Sequence, residues 1–161
     1  MRRKRSSLFV IVALLSFLAD QYTKYLVSCN MTENQTIALF PGIFDLTYVR
    51  NTGAAFGMLS DKQTLIAIVT SVMLAALSVY AVRERKKIPK LESLALALIV
   101  GGGLGNLVTR LLYRYVIDFF NFYFWPVFNV SDICICVGCA LLILSVLVLE
   151  PKKMKKEGKN S

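Results

Sequence analysis

The chain has 161 residues, of which 56% are hydrophobic and only 18% are charged, and its mean hydropathy is +0.58. A soluble domain of this length cannot bury so much apolar surface, so lipid must cover the excess. The net charge of +9 is compatible with a nucleic-acid-binding protein. The basic residues, however, lie in three segments beside apolar stretches, as topology and anionic headgroups require, and we predict no nucleic-acid partner.

Four stretches meet the length rule of roughly 20 mostly apolar residues for a membrane-spanning helix. They cover about residues 6–27, 64–82, 93–112 and 132–149. Between the first two spans lies an outer segment, 28–63, and a basic tail, 151–161, ends the chain. We therefore predict an all-α integral membrane protein with one membrane domain, 1–161.

The orientation of the spans follows from the basic residues. Most of the 19 lysines and arginines fall within 2–5, 83–90 and 152–159. Basic residues near span ends are retained on the cytoplasmic side of the membrane. This distribution predicts that both termini and the basic tail are cytoplasmic and that 28–63 and 111–128 lie outside.

Polar residues in the spans are spaced so that each pair shares one side of its helix. The first span ends with Asp20 and Lys24, and the third ends with Asn106 and Arg110, both at i,i+4 spacing. Because both spans run outward, the two pairs are expected at the same end of the bundle. An alternative is that the long side chains of Lys24 and Arg110 anchor helix ends by reaching the lipid headgroups.

The fourth span starts from the outside, where Asn129 and Asp132 lie at i,i+3 spacing. A second aspartate, Asp118, lies in the preceding outer connection. An ionisable side chain at membrane depth is a functional-site hypothesis by default. Two carboxylates near one another favour acid/base chemistry on a shared proton.

The outer segment is too long for a plain turn. Residues 44–50 are rich in β-branched and aromatic side chains, and Pro41-Gly42 and Asn51-Thr-Gly53 flank them as turn sequences. We predict a small sheet on the outer membrane surface, and a short helical or interfacial piece at 54–59. The aromatic second connection, 111–128, predicts a belt at the membrane interface.

Small and sulfur-containing residues favour structural roles. Gly101 and Gly105 lie four apart in an apolar span, which predicts close helix packing. The chain has no histidine, which excludes Ser-His and Cys-His catalysis. Cys134, Cys136 and Cys139 do not share one helical face, so we expect buried apolar cysteines rather than a metal site.

Five motifs resemble the lipoprotein signal peptidase (signal peptidase II) family in order and spacing, over nearly the whole chain between the basic ends. They are Asp20-Gln-Tyr-Thr-Lys24, Asn51-Thr-Gly-Ala-Ala-Phe56, Gly102-Gly-Leu-Gly-Asn-Leu-Val-Thr-Arg110, Val116-Ile-Asp-Phe119 and Trp125-Pro-Val-Phe-Asn-Val-Ser-Asp132.

The resemblance implies a multi-pass aspartyl endopeptidase of the bacterial plasma (inner) membrane, with four transmembrane helices and a small extracytoplasmic β-cradle. Such an enzyme removes signal peptides from prolipoproteins by cutting before a diacylglyceryl-modified cysteine. It uses no metal and no cofactor, contacts membrane lipids, and is expected to work as a monomer with its site near the outer leaflet. Asp118 and Asp132 match the catalytic pair, which activates water. Residues matching positions that bind substrate or support the site are Asp20, Lys24, Asn51, Asn106, Arg110 and Asn129.

Two positions depart from the family pattern. Thr109 stands where an aspartate usually precedes the arginine, and Arg114 stands where a glycine usually begins the Gly-x-Val-x-Asp stretch. Two other functions also stay open on the residues alone. One is a non-catalytic membrane receptor for lipid-modified peptides, and the other is a small transporter.

Overall fold

The computed structural model describes residues 2–53 and 62–149. Four of its helices are long and apolar enough to cross a membrane, and a small three-stranded antiparallel sheet accompanies them, which confirms the predicted fold class. The helices are α1 (Arg2–Asn30), α2 (Gln63–Arg83), α3 (Lys90–Tyr113) and α4 (Val130–Ile143), the last continuing as a π-helical segment at Leu144–Leu149. The strands are β1 (Thr36–Phe40), β2 (Phe44–Asn51) and β3 (Val116–Phe122).

Helix α3 is the centre of the bundle. It packs against α1, α2 and α4, and 56% of its span is buried, against 22% or less for the other three spans. The outward faces of α1, α2 and α4 carry exposed leucine, isoleucine and valine side chains. Apolar surface of this extent is what a lipid-facing helix presents.

Glycines let α3 approach its neighbours closely, as their spacing predicts. A Cβ on Gly101 would collide with the backbone oxygen of Ala13 in α1, and one on Gly102 would lie 2.6 Å from the backbone oxygen of Ser131 in α4. A Cβ on Gly105 would collide with the side chains of Ser131 and Asp20. The polar ends of α1, α3 and α4 therefore meet only because these positions lack side chains.

The sheet has the strand order β1-β2-β3, with both pairs antiparallel. Opposite Val49 in β2 lies Asp118 in β3, and opposite Asn51 lies Val116, after an irregularity between Leu46 and Val49. One side of the sheet covers a small apolar core at the C-terminal end of α1. Its buried members are Val27, Met31, Tyr48, Ile117 and Phe119.

Strand β3 is absent from the sequence prediction, which assigned the aromatic connection to an interfacial belt. Phe119 is instead buried under the sheet, while Tyr123, Phe124 and Trp125 beyond the strand are exposed. The expectation of buried cysteines was wrong for Cys136 and Cys139, which are exposed on α4 because they lie on its outward face. The predicted piece at 54–59 and the basic tail, 151–161, lie outside the described residues.

Candidate active site

Asp132 is held by the start of α4. Asn129 is the N-cap of this helix, and its side-chain oxygen accepts a hydrogen bond from the backbone N–H of Asp132 at 3.0 Å. In return, the carboxylate of Asp132 accepts from the backbone N–H of Asn129 at 3.1 Å. This reciprocal capping box stabilises the helix start and fixes the Asp132 side chain at the same time.

The same cap aims the amide nitrogen of Asn129 at Asp118. Because its oxygen is occupied as the cap, its Nδ2 faces away from α4 and donates to Asp118 Oδ1 at 2.6 Å. The other oxygen of Asp118 accepts from Asn51 Nδ2 at 2.8 Å. Asn51 ends β2, and its own oxygen accepts from the backbone N–H of Gly53 at 2.9 Å. One asparagine thus joins the two aspartates, and a second fixes Asp118 from β2.

A buried cation, Lys24, is connected to Asp132 through Asn106. The ammonium of Lys24 contacts Asp20 at 2.8 Å and donates to Asn106 Oδ1 at 2.7 Å. Asn106 in turn donates through Nδ2 to Asp132 at 2.9 Å. Lys24 is only 3% exposed, so it does not extend to the headgroups, and the alternative of headgroup anchoring is wrong for this residue. Its charge compensates the carboxylates inside the bundle.

These side chains form one connected set, here called the carboxylate network. Every carboxylate oxygen and every side-chain amide group in it has a hydrogen-bond partner, including Asp20 Oδ1, which accepts from the backbone N–H of Ser131 at 2.9 Å. A fully satisfied buried polar network is rigid and holds its charges in one geometry. Its members are Asp20, Lys24, Asn51, Asn106, Asp118, Asn129 and Asp132.

The environment of Asp118 favours its protonated form. Burial and, to a smaller extent, the nearby charge of Asp132 raise the pKa of the Asp118 carboxyl to about 7, against the opposing effects of Asn51, Asn129 and Lys24. Asp118 is 3% exposed, whereas Asp132 is half-buried. At neutral pH a carboxyl with this pKa exchanges a proton readily, which suits general acid/base chemistry.

Next to this network is a second group, the arginine cluster, consisting of Gly53, Gln63 and Arg110. Arg110 donates from Nε to Gln63 Oε1 at 2.7 Å and from Nη2 to the backbone oxygen of Gly53 at 3.1 Å. Its charge lies within electrostatic range of both Asp118 and Asp132. Arg110 is buried, so headgroup anchoring is wrong for it as well.

Thr109 and Arg114, where the chain departs from the family pattern, have separate structural explanations. The hydroxyl of Thr109 donates to the backbone oxygen of Gly105 at 3.0 Å and accepts from Gln21 Nε2 at 3.3 Å, so it does not contact Arg110. Arg114 ends α3 in the left-handed conformation, with φ 63°. Glycine adopts that conformation at no steric cost, which explains the usual residue there.

The structure brings together all the residues predicted for the site. Seven are in the carboxylate network, and Arg110 lies beside them in the arginine cluster. Sequence reasoning missed Gln63 and Gln21, which support Arg110 and Asp20. A signal for Gln63 was available, because it is the polar residue that opens an otherwise apolar span.

Comparisons of this chain with a family model, with curated relatives and with solved structures agree with one another. The family described as Signal peptidase (SPase) II matches residues 12–148. A lipoprotein signal peptidase of Actinobacillus succinogenes is 39% identical, with 98% of this chain and all of that protein covered. One of Pelotomaculum thermopropionicum is 42% identical over 94% of this chain and 99% of its own length. A bacterial membrane enzyme structure obtained by the in meso method at 2.3 Å resolution has a TM-score of 0.81 and 32% identity, covering 86% of this chain and 87% of that one.

Proposed function

Because this chain belongs to the signal peptidase II family, whose members remove signal peptides from prolipoproteins, we propose that Asp118 and Asp132 are its catalytic pair. The protein is an aspartic-type membrane peptidase. The observation that carries the proposal is the convergence of both carboxylates on Asn129, which bonds to one through its amide nitrogen and to the other through the helix cap.

The pair holds one proton near neutral pH, because two buried carboxylates at close range cannot both ionise without cost. The ionised member accepts a proton from a water molecule, and the resulting nucleophile attacks the scissile carbonyl carbon. The protonated member donates to the developing oxyanion, and a proton then passes to the leaving amine nitrogen. The reaction forms no covalent bond to the enzyme.

The remaining members of the carboxylate network prepare this chemistry. Asn106 and Asn129 hold the two carboxylates with N–H donors, and Lys24 supplies the compensating positive charge. Groups fixed in advance need not reorganise during the reaction, which lowers the barrier. One chain supplies every member of the network, which supports a monomeric enzyme.

The substrate is a prolipoprotein cut before its diacylglyceryl-modified cysteine. The acyl chains of this residue lie in the bilayer, against the exposed apolar faces of the spans, while its scissile bond sits at the interface beside the pair. The termini are cytoplasmic and the site faces the outer leaflet of the plasma membrane, an orientation that the positions of the basic segments support.

The test of catalysis uses purified protein and a diacylglyceryl-modified peptide. Asp118→Asn and Asp132→Asn should each lower turnover by roughly 10³-fold or more, because each removes one acid/base partner. Asp45→Asn is the matched control, since Asp45 is also a buried aspartate but lies in β2 with Tyr123 as its partner. Substantial turnover by either site variant would overturn the proposed pair, and binding without cleavage by the unaltered protein would indicate a receptor.

The proposed orientation can be tested with a natural reporter. Cys29 is exposed near the end of α1. In a variant whose other three cysteines are alanine, a membrane-impermeant maleimide should label Cys29 in intact cells. Replacing Cys29 by alanine and the exposed Lys87 by cysteine should allow labelling only after permeabilisation. The reverse pattern would contradict the orientation.

A further inference from the structure

Gln63 has a buried hydrogen-bond donor with no acceptor among the described residues. Gln63 is the first residue of α2 and is 8% exposed. Its Oε1 accepts from Arg110 Nε at 2.7 Å. Because a guanidinium nitrogen only donates, this contact fixes which way the amide points. The Nε2 group is left without a partner among residues 2–53 and 62–149.

The unused donor distinguishes Gln63 from the other amides at the site. Asn51, Asn106 and Asn129 each donate through Nδ2 to a carboxylate of the catalytic pair. A buried N–H without an acceptor costs about 1–3 kcal/mol. For its contact with Arg110 alone, position 63 needs only an oxygen, which glutamate would supply with a charge complementary to the guanidinium. The amide NH₂ is therefore the unexplained part of this side chain.

We propose that Gln63 is a substrate-binding residue whose Nε2 donates to a carbonyl oxygen of the lipid-modified substrate. This inference rests on the proposed function, since it names a contact at the same site. Gln63 begins the α2 span, and Arg110 lies in the last turn of α3, so the two donors meet at the end of the bundle that holds the catalytic pair. A carbonyl oxygen that leaves water there requires a donor in exchange.

Two carbonyl sources share this chemistry, namely the acyl esters of the diacylglyceryl group and the peptide bonds near the cysteine. Both are neutral acceptors that match an amide N–H. The arginine cluster thus works as a paired donor, in which Arg110 is positioned by Gln63 and Gly53 and Gln63 adds its own N–H.

The experiment compares two substitutions at this position. Gln63→Glu keeps an oxygen for Arg110 and removes the donor, whereas Gln63→Met removes both. Each variant should raise KM for a diacylglyceryl peptide about tenfold, equivalent to about 1.4 kcal/mol, with kcat within about twofold and its pH profile unchanged. If Gln63 only holds Arg110, Gln63→Glu will keep the unaltered KM while Gln63→Met loses affinity, and that result would overturn the inference.

Gln35→Glu is the matched control. Gln35 also uses its Oε1 as an acceptor, from the backbone N–H of Thr32 at 2.8 Å, but it is exposed and precedes β1. The control should leave KM unchanged. A rise in KM in this variant equal to that in Gln63→Glu would contradict the inference, because it would assign the effect to added negative charge.

A second substrate identifies the carbonyl. In an ether-linked dialkylglyceryl peptide, the ester carbonyls are missing and the peptide carbonyls remain. If Nε2 binds an ester, Gln63→Glu and the unaltered enzyme will have equal KM on the ether substrate. If it binds a peptide carbonyl, the tenfold difference will persist. Equal KM on both substrates would overturn the inference.

Binding measurements separate this inference from the proposed function. The ester-linked peptide should bind Asp118→Asn about ten times more tightly than it binds the double variant Asp118→Asn/Gln63→Glu. Equal affinities would reject the Gln63 contact even when the unaltered enzyme cleaves. Failure of the unaltered enzyme to cleave would reject the peptidase mechanism, while a tenfold affinity difference would still support the contact.

Discussion

The carboxylate network and the arginine cluster lie side by side where α3 ends, yet they use their hydrogen bonds differently. In the carboxylate network, all three carboxylates and all three asparagine amides have partners within the protein. In the arginine cluster, Gln63 keeps an N–H that no other described residue accepts. A closed network fixes its charges in one geometry, and an open cluster leaves a donor for the substrate carbonyl proposed above.

Removing the buried cation should disturb the closed network most. Lys24→Met keeps the length of the side chain but leaves Asp20 without its ion-pair partner, so unfolding in detergent should become easier by about 3–5 kcal/mol. Lys87→Met is the control, because its ion pair with Glu84 is on the surface, where water and salt screen it and it contributes little to stability. Adding Asp20→Asn to Lys24→Met should restore part of the loss. Equal stability of the two lysine variants would contradict a closed network.

Asn129→Asp tests the residue that joins the two aspartates. Aspartate caps a helix as well as asparagine does, so α4 should remain stable. The donor to Asp118 is replaced by a further carboxylate, the fourth in the network, and turnover should fall by about 10²-fold or more. The exposed Asn30 provides the control variant Asn30→Asp, for which turnover should not change. Near-normal turnover by Asn129→Asp would show that the pair does not depend on this amide.

The pKa of Asp118 predicts how stability changes with pH. Its pKa of about 7 in the folded state lies above the ordinary value of 3.8 for an aspartate. Between these two values, the folded state holds a proton that the unfolded state has lost. This contribution to stability is complete below about pH 4 and is lost as pH rises through 7, at about 1.4 kcal/mol per pH unit over that interval. Unfolding in detergent at several pH values should show this slope, and Asp118→Asn should lack it. An identical slope in the variant would contradict the assignment.

The open cluster should respond more mildly than the closed network. Arg110→Lys keeps the charge but cannot donate in two directions from a planar group, so the contact with Gln63 or with Gly53 is lost. KM for the lipid-modified peptide should rise about fivefold, with kcat nearly unchanged. Arg50→Lys, at an exposed arginine in β2, should leave both constants unchanged. A large loss of kcat in Arg110→Lys would instead make Arg110 part of the chemistry.

The smallest effect concerns the residue between α3 and β3. Arg114→Gly should stabilise the protein by up to about 1 kcal/mol, because the left-handed conformation is costly for arginine and not for glycine. Arg114→Ala keeps the strain and removes the weak contact with Thr64, so it should give no gain. A gain with alanine equal to that with glycine would show that the side chain, and not the backbone, is unfavourable.

Local spacing predicted more of the site than of the sheet. Asp20 with Lys24 and Asn129 with Asp132 are close in sequence, so helical geometry alone places each pair on one side. Strand β3 was missed because its aromatic residues fit a membrane interface as well as a strand, and the choice depends on pairing with the distant β2. Gln63 was missed because its partner Arg110 is 47 positions away on another helix. Cys136 and Cys139 were predicted to be buried but are exposed on α4. Sequence could not distinguish the two locations, because lipid and the protein interior are equally apolar.

The central position of α3 has a consequence for how the chain assembles during synthesis. Among the described residues, α1 and α2 both pack against α3 and have little contact with each other. The first two spans therefore enter the bilayer before their common partner exists. During that interval Asp20 and Lys24 neutralise one another within a single helix, which lowers the cost of holding both charges in lipid. The ion pair that supports the site in the folded protein therefore also lowers the cost of holding the first span in lipid before the third span is inserted.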